Sequence, residues 1–313
     1  MVRNRAALIL DRLGEDNDRP GLDPTRNDYW ATRIEVGDFS MGDDNSPYND
    51  EKPQFIYRIN RPFALARFPV TNRQYLRFLE ALAGRGDQPT VNAAQQVLTE
   101  WRQAELPDFL LHPRFWSGAR YRPGEGNLPV VGVSWYAASA FARWVDIWLH
   151  TIGVLSTGEE VRLPSEAEWE RAAAYPVVLP ASAPRAGRRT YPWGKQLTET
   201  PASSIVSSIE ANVEASGIDH PSVVGIFPHG AAACGAEDMA GNVWEWCSTR
   251  YVPYPLGADI KPGSFYNLTR DGIVLRGGSW DNSAAVARCA SRGSGTPGLD
   301  VGNLGFRLAR LFS

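Results

Sequence analysis

A chain of 313 residues, 43% hydrophobic and 21% charged, has enough apolar side chain to bury a sizeable core as one large domain or two small ones. Its net charge of −3 gives no general attraction to phosphate backbones or anionic lipid, which argues against nucleic acid as a partner and against membrane insertion. No apolar run approaches the roughly 20 residues that span a bilayer, and MVRNRAALILDRLG holds too short an apolar stretch for a signal peptide, so a cytoplasmic location is expected.

Residues 1–28 form a polar, charged lead-in whose only helical stretch is about Arg3 to Leu13, expected to pack as an appendage. From Tyr29 onward no long Ser/Gly/Pro linker, internal repeat or low-complexity tract interrupts the chain, so residues 29–313 read as one domain. Thr71-Asn72-Arg73-Gln74 is a capping-box pattern, opening a helix with Tyr75, Leu79 and Leu82 on one face. A further helix is expected over about Val91 to Ala104. Ser134 opens another, with Trp135, Ala138, Ala142 and Val145 on a common stripe that suits core packing. Ser165-Glu166-Ala167-Glu168 is a second capping box, ahead of a buried face of Trp169, Ala172 and Ala173. Past residue 185 helix signals fade and Gly, Pro, Trp and short β-branched runs take over, giving an α+β chain with much irregular structure. Trp193, Trp244, Trp246 and Trp280 are expected to supply the buried area that regular packing cannot.

The stretch Arg276–Arg307 has rigid ends and a bland interior. Gly277-Gly278 permits backbone angles closed to other residues, and Trp280 and Phe306 can each bury a large apolar surface. Between them Asp281, Asn282, Ser283, Ala285, Val286, Ser291, Gly293, Ser294, Gly295, Leu299, Val301 and Gly302 show neither a helical nor an alternating apolar period. Such residues belong on a surface, as a ligand-contacting set or an ordinary irregular loop.

Cys234, Cys247 and Cys289 are odd in number and far apart, so reduced thiols are the default, and Cys247 and Cys289 are expected to be inert packing groups. His112, His150, His220 and His229 lack metal-ligand spacing. No Ser/His/Asp order or glycine-rich phosphate loop stands out.

Six ordered blocks carry a family resemblance: FPVTNRQYLRFLEA (68–81), LPVVGVSWYAASAFARWV (128–145), VRLPSEAEWERAA (161–173), YPWG (191–194), DMAGNVWEW (238–246), and RGGSW with NLGFRLAR at the end. The chain from about Tyr29 onward resembles the formylglycine-generating enzyme, or sulfatase-modifying factor, family. The resemblance implies a variant of the C-type lectin fold. It also implies, for an enzyme, a copper-binding cysteine pair just after RGGS. The stretch Trp280–Ala287 holds no cysteine, so no catalytic residue and no copper are expected. A second enzymatic branch, the sulfoxide synthases of ergothioneine type, needs a histidine-held iron on an additional domain, whereas the four histidines here lack metal-ligand spacing and no room for that domain is expected.

Within the resemblance, the branch that fits the bland interior is the variable proteins of diversity-generating retroelements, in which mutagenic reverse transcription randomises asparagine-type codons near the C-terminus. Such codons cannot yield Lys, Glu, Gln, Met or Trp, and none of these lies between Asp281 and Gly305. The expectation is a non-catalytic, monomeric binder of an unknown protein or other macromolecular ligand, with a variable region at about 276–307. The alternatives are an oxidase of the enzyme family and a fixed scaffolding domain. The resemblance further implies structural calcium on the Asp238 and Glu245 side chains and the Gly241 and Val243 carbonyls, a hard-oxygen set. A second calcium set would use Asn212, Val213, Ser216 and Ile218.

Overall fold

Each cap legible in the sequence starts a helix in the computed structural model, which describes residues 2–13, 19–194, 210–255 and 272–313. At the head of α2 (Asn72–Leu82) the Thr71 side chain accepts from the Gln74 N–H, and the Gln74 side chain accepts from the Thr71 N–H. Ser165 and Glu168 make the same reciprocal pair at α5 (Glu166–Ala174), and Ser134 accepts from Ala137 at α4 (Trp135–Thr151). The helix expected from Val91 begins earlier, as α3 (Gln88–Gln103), because the Asp87 side chain accepts from the Thr90 N–H and Pro89 sits in the first turn. The lead-in helix is α1 (Val2–Leu13).

Helix α4 is apolar nearly all round, which suits a central position, and it is buried along most of its length. Its Phe141 and Trp144 meet Tyr75 and Phe78 of α2 and, from the far end of the chain, Phe306. Burying one such phenylalanine contributes about 1.5–3 kcal/mol. Two indole N–H groups inside this core are paired: Trp144 donates to the Thr90 carbonyl and Trp135 to the Cys247 carbonyl, at 3.0 and 2.9 Å. Among the described residues no helix is long and apolar enough to cross a membrane.

Three small sheets surround the helices. Strands β1 (Gly37–Met41) and β2 (Phe55–Ile59) form an antiparallel pair with Gly37 opposite Ile59. Strands β3 (Phe63–Leu65) and β4 (Glu160–Arg162) flank β9 (Ala309–Leu311), in the order β3-β9-β4. The third sheet runs β7-β6-β5-β8, built from β5 (Trp244–Arg250), β6 (Ile273–Arg276), β7 (Arg292–Gly295) and β8 (Leu304–Gly305). Strand β8 is parallel to β5 and the other pairings are antiparallel. The result is the expected α+β chain, in which the C-terminal stretch crosses two sheets and leaves its turns outside.

Of the four tryptophans expected to be buried staples, only Trp246 is fully so. Trp193, Trp244 and Trp280 remain partly exposed, Trp244 against the main core and Trp193 against a small cluster around Ala240.

Candidate ligand-binding surface

Four arginines hold the C-terminal stretch to the rest of the protein. A guanidinium cannot lose its charge, so wherever one is buried it must find acids and carbonyls. Arg276, at the end of β6, is buried against Glu170 and donates to the carbonyls of Cys289, Ala290 and Ser291 at 2.6–2.9 Å, with the Trp169 ring under it. Arg288 pairs with both oxygens of Glu51 at 2.7 and 2.8 Å. Arg292 pairs with Glu166 at 2.6 and 3.0 Å and lies 3.9 Å over the Tyr254 ring. Arg307 pairs with both oxygens of Glu245 at 2.7 Å and donates to the carbonyls of Ala66 and Glu237. Every one of these acids lies outside the stretch. The Gly277 reading holds for a stated reason: its φ is +98°, and an added Cβ would lie 3.2 Å from the Trp169 ring.

On this frame the interior residues do not form one exposed set. Asp281, Ser283, Ala285 and Ser294 are exposed, and Asn282, Val286, Gly293, Leu299, Val301 and Gly302 are half-buried. Ser291 and Gly295 correct the surface expectation, since both are buried. Ser291 is 4% exposed, with its carbonyl under Arg276. Gly295 closes β7 over Trp246, where a Cβ would stand 2.9 Å from the indole and 2.8 Å from the Leu299 side chain. Leu299 and Val301 pack their inner sides on the main core. Asp281 and Asn282 are also partly spent on structure: Asp281 accepts from the Ser279 hydroxyl and the Asn303 amide, and the Asn282 side chain accepts from the Ser279 N–H. The freely presented side chains are therefore those of Ser283, Ala285 and Ser294, with the half-buried Val286, Val301 and two glycines beside them.

Aromatic residues outside the list border this surface. The Trp244 ring lies 3.3 Å from where a Gly293 Cβ would be, and the exposed Phe115 ring lies 3.4 Å from the corresponding point at Gly302. Arg114 reaches Asp300 at 2.9 Å alongside. Trp244 carried a sequence signal that was assigned to the core. Phe115 carried none, because its proximity comes from a turn nearly two hundred residues upstream folding back.

The cysteines offer no reactive group. All three are buried thiols, and burial pushes the Cys289 thiol up to about 12 and raises that of Cys234. A nucleophilic or copper-binding sulfur needs the opposite shift and an open face.

The oxygen sets named for calcium are engaged otherwise. Glu245 spends both oxygens on Arg307 and accepts the Trp169 indole N–H at 2.8 Å. Asp238 is buried, accepts from the Gly225 N–H at 2.7 Å, and is pushed up to about 7 by burial. Gly241 is packed against the Asn212 carbonyl, and Val243 is buried. In the second set the Asn212 side chain accepts from the Ser216 hydroxyl, which in turn accepts from the Ile218 N–H, so these groups close their own turn next to Val213. The Glu245 and Asn212 side chains of the two sets are thus spent on protein partners. Adding EDTA is expected to leave the thermal midpoint unchanged. A drop of several degrees would reveal a stabilising ion instead, because a ligand bound only to the native state must raise stability.

Residues 23–312 match the family model described as the sulfatase-modifying factor enzyme 1-like domain. The formylglycine-generating enzyme of Streptomyces coelicolor is 32% identical over 311 residues, covering 91% of this chain and 90% of that protein. Hercynine oxygenase of Mycobacterium tuberculosis is 31% identical over 80% of this chain, which spans only about half, 52%, of that relative. Among solved structures, Treponema denticola variable protein 1 superposes with a TM-score of 0.58 at 22% identity, covering 89% of this chain and 94% of that one.

Proposed function

This chain belongs to the sulfatase-modifying factor enzyme 1-like domain family, with an α+β fold of the C-type lectin type, and from that premise we propose that it is a non-catalytic ligand-binding protein whose C-terminal surface is diversified by a retroelement. One observation carries the reading. Every arginine of residues 276–307 is locked to an acid elsewhere in the protein, while between them Ser283, Ala285 and Ser294 present exposed small side chains for which no hydrogen bond is seen among the described residues. Exposed positions of this kind change stability by only about ±0.5 kcal/mol when substituted, so recognition there can change while the fold stands. The sharing of a fold with a protein named for variability supports the same reading. The ligand is a protein or other macromolecule, for which such a surface with its aromatic border suits the roughly 800 Å² per partner of a specific interface. As it stands the surface is poor in Tyr, Trp and Arg, the residues that dominate hot spots, so this variant binds weakly.

Deep sequencing of codons 270–313 from a population of source cells tests the proposal. Substitutions are expected at Ser283, Ala285, Val286, Ser294 and Val301, with Ser291, Gly295 and the four arginines constant. In purified protein Gly295→Val is expected to cost about 1–3 kcal/mol by overpacking, whereas Ser294→Val stays within about 0.5 kcal/mol. A uniform population would sink the diversified reading and leave a fixed partner-binding role. The second reading, an oxidase, is favoured by the 32% identity to the Streptomyces enzyme. Turnover of a cysteine peptide in the presence of copper would establish it.

A further inference from the structure

Helix α1 is docked the wrong way round for an amphipathic helix. Two of its polar side chains face the protein: the buried Asn4 accepts from the Val223 N–H at 3.0 Å, and the buried Asp11 carboxylate pairs with Arg73 and accepts from the Gly126 N–H at 2.8 Å. Only Ala7 and Leu8 add apolar contact, against the small cluster around Ile226 and Phe227. The larger apolar side chains point to solvent, with Val2 83%, Ile9 57%, Leu10 42% and Leu13 66% exposed. Val2, Ala6, Ile9 and Leu13 are spaced four, three and four apart, so they form one stripe along the helix. That is the spacing of a seam between two helices.

Charge chooses the occupant. Arg3, Arg5 and Arg12 are exposed beside the stripe, and among the described residues none of them has a carboxylate partner. The one acid of the helix, Asp11, is consumed by Arg73. Two copies of this helix side by side would set arginine against arginine, which disfavours self-pairing. We propose that the outer face of α1 is a docking site for an amphipathic helix of another protein, with an apolar seam that meets Val2, Ile9 and Leu13 and with acidic flanks that meet the arginines. Recognition uses the helix-on-helix mode, in which anchors a turn or two apart give affinity and flanking charges give partner choice.

The test uses the full chain and a labelled synthetic helix about three heptads long, with leucine at the seam positions and glutamate at the flanks. Fluorescence anisotropy is expected to show binding at least about tenfold tighter than to the same peptide with lysine flanks, a difference of about 1.4 kcal/mol. Ile9→Glu with Leu13→Glu should abolish binding without moving the thermal midpoint, since both side chains face solvent. Arg5→Glu with Arg12→Glu should reverse the preference between the two peptides. Equal binding of both peptides, or of neither, overturns the proposal. So does sedimentation as a dimer that Ile9→Glu dissociates, which would make the occupant a second copy. Binding to anionic vesicles in the absence of any peptide binding would overturn it in favour of a lipid surface.

Discussion

Arg307→Ala is expected to cost about 3–5 kcal/mol in urea unfolding, the penalty for stranding one member of a buried ion pair. The substitution would leave the Glu245 carboxylate buried with only the Trp169 indole N–H as donor, and would strip donors from the Ala66 and Glu237 carbonyls. Replacing both partners with apolar residues of similar volume, as in Arg307→Met with Glu245→Leu, is expected to recover much of the loss, because the desolvation cost disappears with the charges. The exposed Arg58–Asp38 pair is the control, where Arg58→Ala should stay within about 1 kcal/mol. A loss at Arg307 no larger than at Arg58 would mean that the C-terminal stretch is not held by its arginines, and the separation of frame from exposed turns would go with it.

Trp246→Ala is expected to cost about 3–5 kcal/mol and to loosen the ligand surface as well. The side chain is fully buried, its N–H donates to the Val133 carbonyl at 3.0 Å, and its ring forms the floor beneath Gly295. Removing it leaves a cavity under β7 and an orphaned carbonyl in α4's approach. The coupling can be measured directly by a double-mutant cycle. Gly295→Ala should destabilise the parent protein, where the new methyl meets the indole at 2.9 Å, and should cost less in the Trp246→Ala background. Strictly additive effects would show that the floor and the surface are independent.

What the sequence disclosed was local. Thr71, Ser134 and Ser165 announce their helices because a cap is satisfied within three residues, and Asp87-Gln88-Pro89 carries the same local signal at the head of α3. The strand β7, Arg-Gly-Ser-Gly, has no strand formers and exists because β6 pairs with it, so no periodicity could have shown it. The surface was legible in outline and wrong in detail at Ser291 and Gly295. Their burial is imposed by Arg276 and Trp246, whose positions depend on partners far away in sequence. The acids that pair with the four arginines were equally hidden, since an ion pair spanning from 62 residues for Glu245–Arg307 to 237 for Glu51–Arg288 leaves no spacing to read. The calcium sets came from resemblance, and the hydrogen bonds that occupy them appear only in three dimensions.

Strand β9 lies between β3 and β4, so the middle of that sheet is completed by residues the ribosome adds after the whole surface has been translated. A chain broken off anywhere in residues 281–302 therefore lacks β8, β9 and Arg307 together, and exposes two strand edges and an uncompensated Glu245. Frameshifts and premature stops remove this closure, whereas in-frame changes at the exposed turns leave it intact. Under the proposed diversification, a closing strand placed behind the surface makes folding itself the checkpoint on each version.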